Sequence, residues 1–199
     1  MPDGPPGTAR WLLCDYGNVL CLDQPADDRR TLAAAAGLCE GAFADAYWAD
    51  REAYDQGLLT AAAYWAGVVG RPVAGGELER LVALDVASWT HPSPLALAAV
   101  EHARAAGWRT ALLSNAPLEI ARAAGRLPWL AAFSPQLFSC DLGRVKPDPS
   151  IFTAALERLG AAPGDVCFVD DRPANVEAAR QCGMAALHYR QPSQLEALA

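Results

Sequence analysis

Three short polar clusters and one lysine carry most of the chemistry legible in this chain. Asp15 follows the apolar run Trp11-Leu12-Leu13-Cys14, Ser114-Asn115 follow Thr110-Ala111-Leu112-Leu113, and Asp170-Asp171 follow Val166-Cys167-Phe168-Val169. Lys146 lies in the loop Asp141-Leu142-Gly143-Arg144-Val145-Lys146-Pro147-Asp148. Taken singly, each has an ordinary explanation. An Asp after a strand is a turn residue, Ser-Asn ahead of Pro117 caps a helix, Asp-Asp can cap the helix from Pro173, and one Lys is a solvated charge. Taken in order, each at the end of the right element, they form a set. Three carboxylates at one point repel one another unless a cation lies among them, and hard oxygen donors favour Mg²⁺. A carboxylate held against a metal-bound phosphate can be a nucleophile and form an aspartyl-phosphate, while Lys146 and backbone N–H groups offset charge on the transferring phosphoryl group.

The elements that must position these groups follow from hydrophobic periodicity and from Gly and Pro breaks. Strands are predicted at about 11–14, 109–113, 136–140, 165–169 and 184–189, and helices at about 94–106, 117–124, 149–159 and 173–182. Strands alternating with helices imply an α/β fold with a parallel sheet and helices on both faces, in which ligands bind beyond the carboxyl ends of the strands. Residues 25–88 are Ala-rich with helical spacing and breaks at Gly37, Gly57, Gly70 and Gly75-Gly76. They predict three or four helices and no strand, inserted after the first strand.

The bulk properties narrow the class. The 199 residues carry a formal net charge of -7, with 52% hydrophobic and 20% charged residues. Such a chain builds a sizeable core and is a poor generic ligand for nucleic acid or anionic membranes. A phosphate is still bound where a metal supplies positive charge. No apolar run approaches the ~20 residues that span a bilayer. The opening MPDGPPGTAR lacks the apolar core of a secretory signal and is expected to fray, so a cytoplasmic protein is expected. None of the six cysteines forms a C-x-x-C pair, which argues against structural zinc, and Cys14 and Cys167 are expected as buried small hydrophobes.

In these motifs the chain resembles the haloacid dehalogenase (HAD) superfamily. Leu12-Leu13-Cys14-Asp15-Tyr16-Gly17-Asn18-Val19-Leu20 resembles its first motif, Leu112-Leu113-Ser114-Asn115 the second, Lys146-Pro147 the third, and Val166 to Asn175 the fourth. The resemblance implies a Rossmann-like sheet of order 5-4-1-2-3, a core of residues 1–22 and 91–199, and a helical C1 cap at 23–90. It implies Asp15 as nucleophile and Mg²⁺ ligand and the carbonyl of Gly17, Asp170 and Asp171 as further ligands. Ser114, Asn115 and Lys146 would bind the phosphoryl group, and Asn175 would support the ligand carboxylates. A small phosphorylated metabolite is the implied partner of a monomer or homodimer. The D-x-G-N-V form resembles a branch that includes α-D-glucose-1-phosphate phosphatases.

One departure matters. Most family phosphatases carry a general acid/base Asp two positions after the nucleophile, where this chain has Gly17. General acid/base help contributes typically ~10²–10⁴-fold. Without it, hydrolysis should favour aryl over alkyl phosphates unless a cap residue or Asp23 supplies the proton. Loss of that group also fits a non-catalytic metabolite sensor or interaction protein. A 2-haloacid dehalogenase shares the fold but needs no metal, and the Asp170-Asp171 pair argues against it. The cap offers Arg29, Arg30, Trp48, Arg51, Tyr54, Tyr64 and Trp65, most of the aromatics being expected in its core. Arg51 and Tyr54 are the ones expected to face the crevice, with no spacing to choose between them. His91, His102 and His188 read as surface or hinge groups.

Overall fold

The structure is a computed structural model that describes residues 10–197. The expected fraying of the N-terminal segment falls on residues outside that range, apart from Arg10. In chain order the elements are β1 Trp11–Cys14, α1 Ala26–Ala36, α2 Glu40–Ala49, α3 Arg51–Asp55, α4 Ala61–Val69, α5 Gly75–Ser88, α6 Pro94–Ala105, β2 Arg109–Ser114, α7 Leu118–Ala124, β3 Gln136–Phe138, α8 Ser139–Leu142, α9 Pro149–Leu159, β4 Val166–Asp170, α10 Pro173–Gln181, β5 Ala185–His188 and α11 Ser193–Glu196.

The five strands form one sheet of order β3-β2-β1-β4-β5, and every pairing is parallel. This is the expected order read from the opposite edge. β1 is the central strand and is buried along its whole length. Its side chains alternate between the two faces, as a pleated strand requires. Leu12 and Cys14 enter a cluster with Ala96, Ala99, Val100 and Ala103 of α6 and Ile120 of α7. Trp11 and Leu13 enter a second cluster with Ile151, Phe152 and Ala155 of α9. Helices therefore cover both faces, which is why the strands read as continuous apolar runs. Capping fixes where α9 starts and stops. Asp148 accepts from the Ser150 amide at 2.7 Å, Pro149 supplies the first turn, and Gly160 closes the helix at φ 60.

The inserted segment holds five helices, α1–α5, where three or four were expected. The extra one arises at Asp50, whose backbone (φ -111, ψ 17) separates α2 from α3 without a Gly or Pro to announce it. These helices share a core of their own, including Leu32, Phe43, Tyr47, Tyr54, Tyr64, Trp65 and Leu81. The two chain crossings into this segment lie side by side. Leu22 N donates to His91 O and Ser93 N to Leu20 O, both at 2.8 Å. The third strand is shorter than predicted, because the chain turns into α8 directly after Phe138. Cys14 and Cys167 are buried free thiols.

Candidate active site

Asp15, Ser114 and Asp170 sit at the carboxyl ends of β1, β2 and β4, and Lys146 reaches them from the loop before α9. Adjacent parallel strands ending in register bring them together: Cys14 pairs with Leu112 and with Val169. Lys146 Nζ lies 2.7 Å from Asp15 Oδ1, 2.8 Å from Asp170 Oδ2 and 3.0 Å from Leu113 O. All three ammonium donors are thereby engaged.

Each remaining carboxylate oxygen has its own environment. Asp15 Oδ1 also accepts from Tyr16 N at 2.7 Å. Asp170 is fully buried. Its Oδ1 accepts from Arg172 N at 2.8 Å, and Asn175 Nδ2 lies 3.0 Å from both of its oxygens. Half-buried Asp171 accepts from Asn18 Nδ2 at 3.2 Å, and Asn18 adopts φ 57, a left-handed conformation that Asn tolerates. One oxygen from each of Asp15, Asp170 and Asp171 falls within 4.8 Å of the others. Burial, with Asp170 and Asp171 nearby, pushes the Asp15 carboxyl up to about 8 against the pull of Lys146. Burial and Asp170 likewise raise Asp171. One ammonium thus faces three carboxylates, and the surplus negative charge is the condition under which a hard divalent cation is held.

Asn115 clamps the lysine loop: its Oδ1 accepts from Lys146 N at 2.8 Å and its Nδ2 donates to Lys146 O at 2.9 Å. Among the described residues the Ser114 hydroxyl makes only a 3.4 Å contact with Asn115 O, so it remains available. The groups line a cavity of about 470 Å³, within the ~300–1,000 Å³ range of small-molecule sites. Core residues Asp15, Ser114, Lys146 and Asp171 form one side, and Trp48, Arg51, Glu52 and Asp55 of α2 and α3 enter from the inserted segment.

Of the expected cap residues, Trp48 and Arg51 reach the cavity. Tyr64 and Trp65 are buried in the core that the inserted helices share. Arg29 and Arg30 pair with Asp23 and Asp27 instead, and Tyr54 donates to Glu119 of α7 at 2.7 Å. His91 pairs with Asp28, and His188 contacts Asp171 O at 3.0 Å.

The sequence did not single out four residues that shape the site. Trp89 fills the space beside Gly17, where an added Cβ would lie 3.3 Å from its ring. Asp55 and Asp85 flank the buried guanidinium of Arg51 at 2.7 and 3.5 Å. Ser139 accepts from Ala116 N at 2.9 Å and donates to Asp55 O. Only Gly17, conspicuous by lacking a side chain, gave a signal for any of them.

Residues 14–183 match the model of the haloacid dehalogenase-like hydrolases. The chain belongs to that family. Over 112 residues it is 35% identical to the phosphatase MT3486 of Mycobacterium tuberculosis, spanning 54% of this chain and 51% of that one. Over 81 residues it is 37% identical to (S)-2-haloacid dehalogenase 1 of a Pseudomonas strain, spanning 40% of this chain and 36% of the dehalogenase. A flavin mononucleotide hydrolase of Arabidopsis thaliana is 40% identical over 57 residues, 29% of this chain and 23% of its own length. The chain thus spans about half or less of these curated relatives. The fold matches that of the HAD family enzyme bt-2542 from Bacteroides thetaiotaomicron, solved with magnesium and inorganic phosphate, at a TM-score of 0.69 and 20% identity over 92% of this chain and 95% of that one.

Proposed function

We propose that this hydrolase is a magnesium-dependent phosphatase that removes phosphate from a small metabolite through an aspartyl-phosphate on Asp15. The observation that carries the reading is the charge balance. Three carboxylates bring oxygens within 4.8 Å of one another, and the ammonium beside them, fully engaged, pairs with Asp15 and Asp170. A dehalogenase has no use for that surplus, whereas a phosphatase pairs it with a cation that also neutralises phosphate. The enzyme bt-2542, which shares the fold, was solved with both magnesium and phosphate.

The donor set fits Mg²⁺. Asp15 and Asp171 each keep an oxygen outside the hydrogen bonds described, and with the Gly17 carbonyl they would hold the ion. Asp170 stands within reach as a further ligand, but the bonds to Lys146, Arg172 N and Asn175 suit it best to orienting the lysine. Bound there, magnesium would supply positive charge for the phosphoryl oxygens. The chain's own residues do the rest. Lys146 fixes the Asp15 carboxylate, Ser114 donates to a phosphoryl oxygen, and residues 23–90 act as the cap that excludes water.

Sugar phosphates belong in the first substrate panel. Purified protein assayed with and without Mg²⁺, on phosphate esters and on 2-haloacids, tests the reading. Metal-dependent phosphate release supports it. Metal-independent halide release assigns a dehalogenase, and neither activity assigns the non-catalytic sensor.

A further inference from the structure

We propose that Asp55, on the cap helix α3, is the general acid and base that Gly17 cannot be. The inference rests on the phosphatase reading above. Beyond Asp15 and Asp171, the carboxylates lining the cavity are Glu52 and Asp55. Asp23, the other candidate near the first motif, pairs with Arg29 at 3.3 Å and does not line it.

Position favours Asp55. The Ser139 hydroxyl donates to Asp55 O while accepting from Ala116 N, and Ala116 lies two residues beyond Ser114. One buried hydroxyl thus ties the backbone of Asp55 to the loop that holds the phosphoryl-binding serine. Gln56 Nε2, one residue on, donates to Gly143 O at 2.9 Å and pins the same turn to the core. Glu52 is exposed and its side chain has no such tie.

Chemistry favours it as well. Asp55 Oδ1 accepts from Arg51 Nε at 2.7 Å, while Oδ2 receives no hydrogen bond from the described residues. Arg51 also faces Asp85, and Tyr47 donates to Asp85 at 2.7 Å. One buried cation between two buried carboxylates leaves room for one proton in the cluster. Asp85 does not line the cavity, so Asp55 is the member that can exchange that proton with a substrate. Burial, with Asp85 and Glu52 nearby, raises its carboxyl above the ordinary range although Arg51 pulls it down.

In the first step Asp15 bonds to phosphorus, the bond from phosphorus to the leaving oxygen breaks, and that oxygen takes the Asp55 proton. In the second, the Asp55 carboxylate takes a proton from water. The water oxygen bonds to phosphorus, the bond to Asp15 breaks, and inorganic phosphate leaves with both residues restored.

The test is a series of aryl and alkyl phosphates with Mg²⁺, read in the steady state and as a p-nitrophenolate burst. The wild type should depend only weakly on leaving-group pKa. Asp55→Asn, which keeps the size and an acceptor for Arg51, should lose ~10²-fold or more on alkyl phosphates. Its p-nitrophenolate burst should persist while turnover slows, because that leaving group needs no proton but the water still does. Asp55→Glu should keep the shallow dependence, and Glu52→Gln, whatever its overall rate, should keep it too. A steep dependence in the wild type overturns the proposal even if Asp55→Asn fails to fold. So does an unchanged dependence in folded Asp55→Asn, or the predicted pattern appearing in Glu52→Gln. Absence of any Mg²⁺-dependent turnover by the wild type would instead refute the phosphatase reading on which the role rests.

Discussion

The indole of Trp89 crowds the place where a side chain on residue 17 would begin: a Cβ added to Gly17 would lie 3.3 Å from Trp89 Cζ3, so the ring would have to shift by a few tenths of an ångström. Gly17 is not among the glycines with positive φ, so the backbone itself admits another residue and the obstacle is the ring. Trp89 is held by its Nε1, which donates to Tyr47 at 3.0 Å, and by its carbonyl, which accepts from Cys21 Sγ at 3.3 Å. Gly17→Asp should therefore cost about 1–3 kcal/mol through overpacking. Trp89→Leu should relieve part of that cost in the double variant. Urea denaturation of the two single variants and the double one measures the coupling; additive losses would mean that the ring is not the obstacle.

Lys146 is the ammonium that touches Asp15 and Asp170. Replacing it with Met leaves buried carboxylates uncompensated, which costs about 3–5 kcal/mol when one partner of a buried pair is removed. Lys146→Met should show that loss in metal-free buffer and lose phosphatase activity. A variant as stable as wild type would show that the carboxylates are neutral without the lysine.

Much of this arrangement was legible in the sequence, for a definite reason. A polar residue that ends an apolar strand has its location set by the strand, so Asp15, Ser114 and Asp170 were found by reading where runs stop. The interior of the inserted segment was not legible. Arg51 is expected at the crevice and lines it, but nothing in helical spacing shows that Asp85, on another helix, closes around it beside Asp55. Ser139 was hidden for the same reason, since only the sheet order brings the end of β3 to Ala116 and α3. Trp89 carries no signal of its own in the sequence, because only the chain crossing beside His91 brings it to Gly17.

Among the described residues the side-chain hydrogen bond to Asp171 comes from Asn18 and takes one carboxylate oxygen, which leaves the other for a cation. Mg²⁺ that binds the folded state at ~100 times its Kd stabilises it by about 2.7 kcal/mol. Thermal melts of wild type should rise with added Mg²⁺, and those of Asp171→Asn should not. Equal shifts in both would remove Asp171 from the metal site.

The most direct test of the account is Mg²⁺-dependent hydrolysis of p-nitrophenyl phosphate by wild type and by Asp15→Asn, with folding checked by circular dichroism. An amide is not a nucleophile and is a poor ligand for a hard cation. The account predicts turnover by the wild type that chelation abolishes, and none above background in Asp15→Asn. Comparable turnover by a folded Asp15→Asn protein would contradict it.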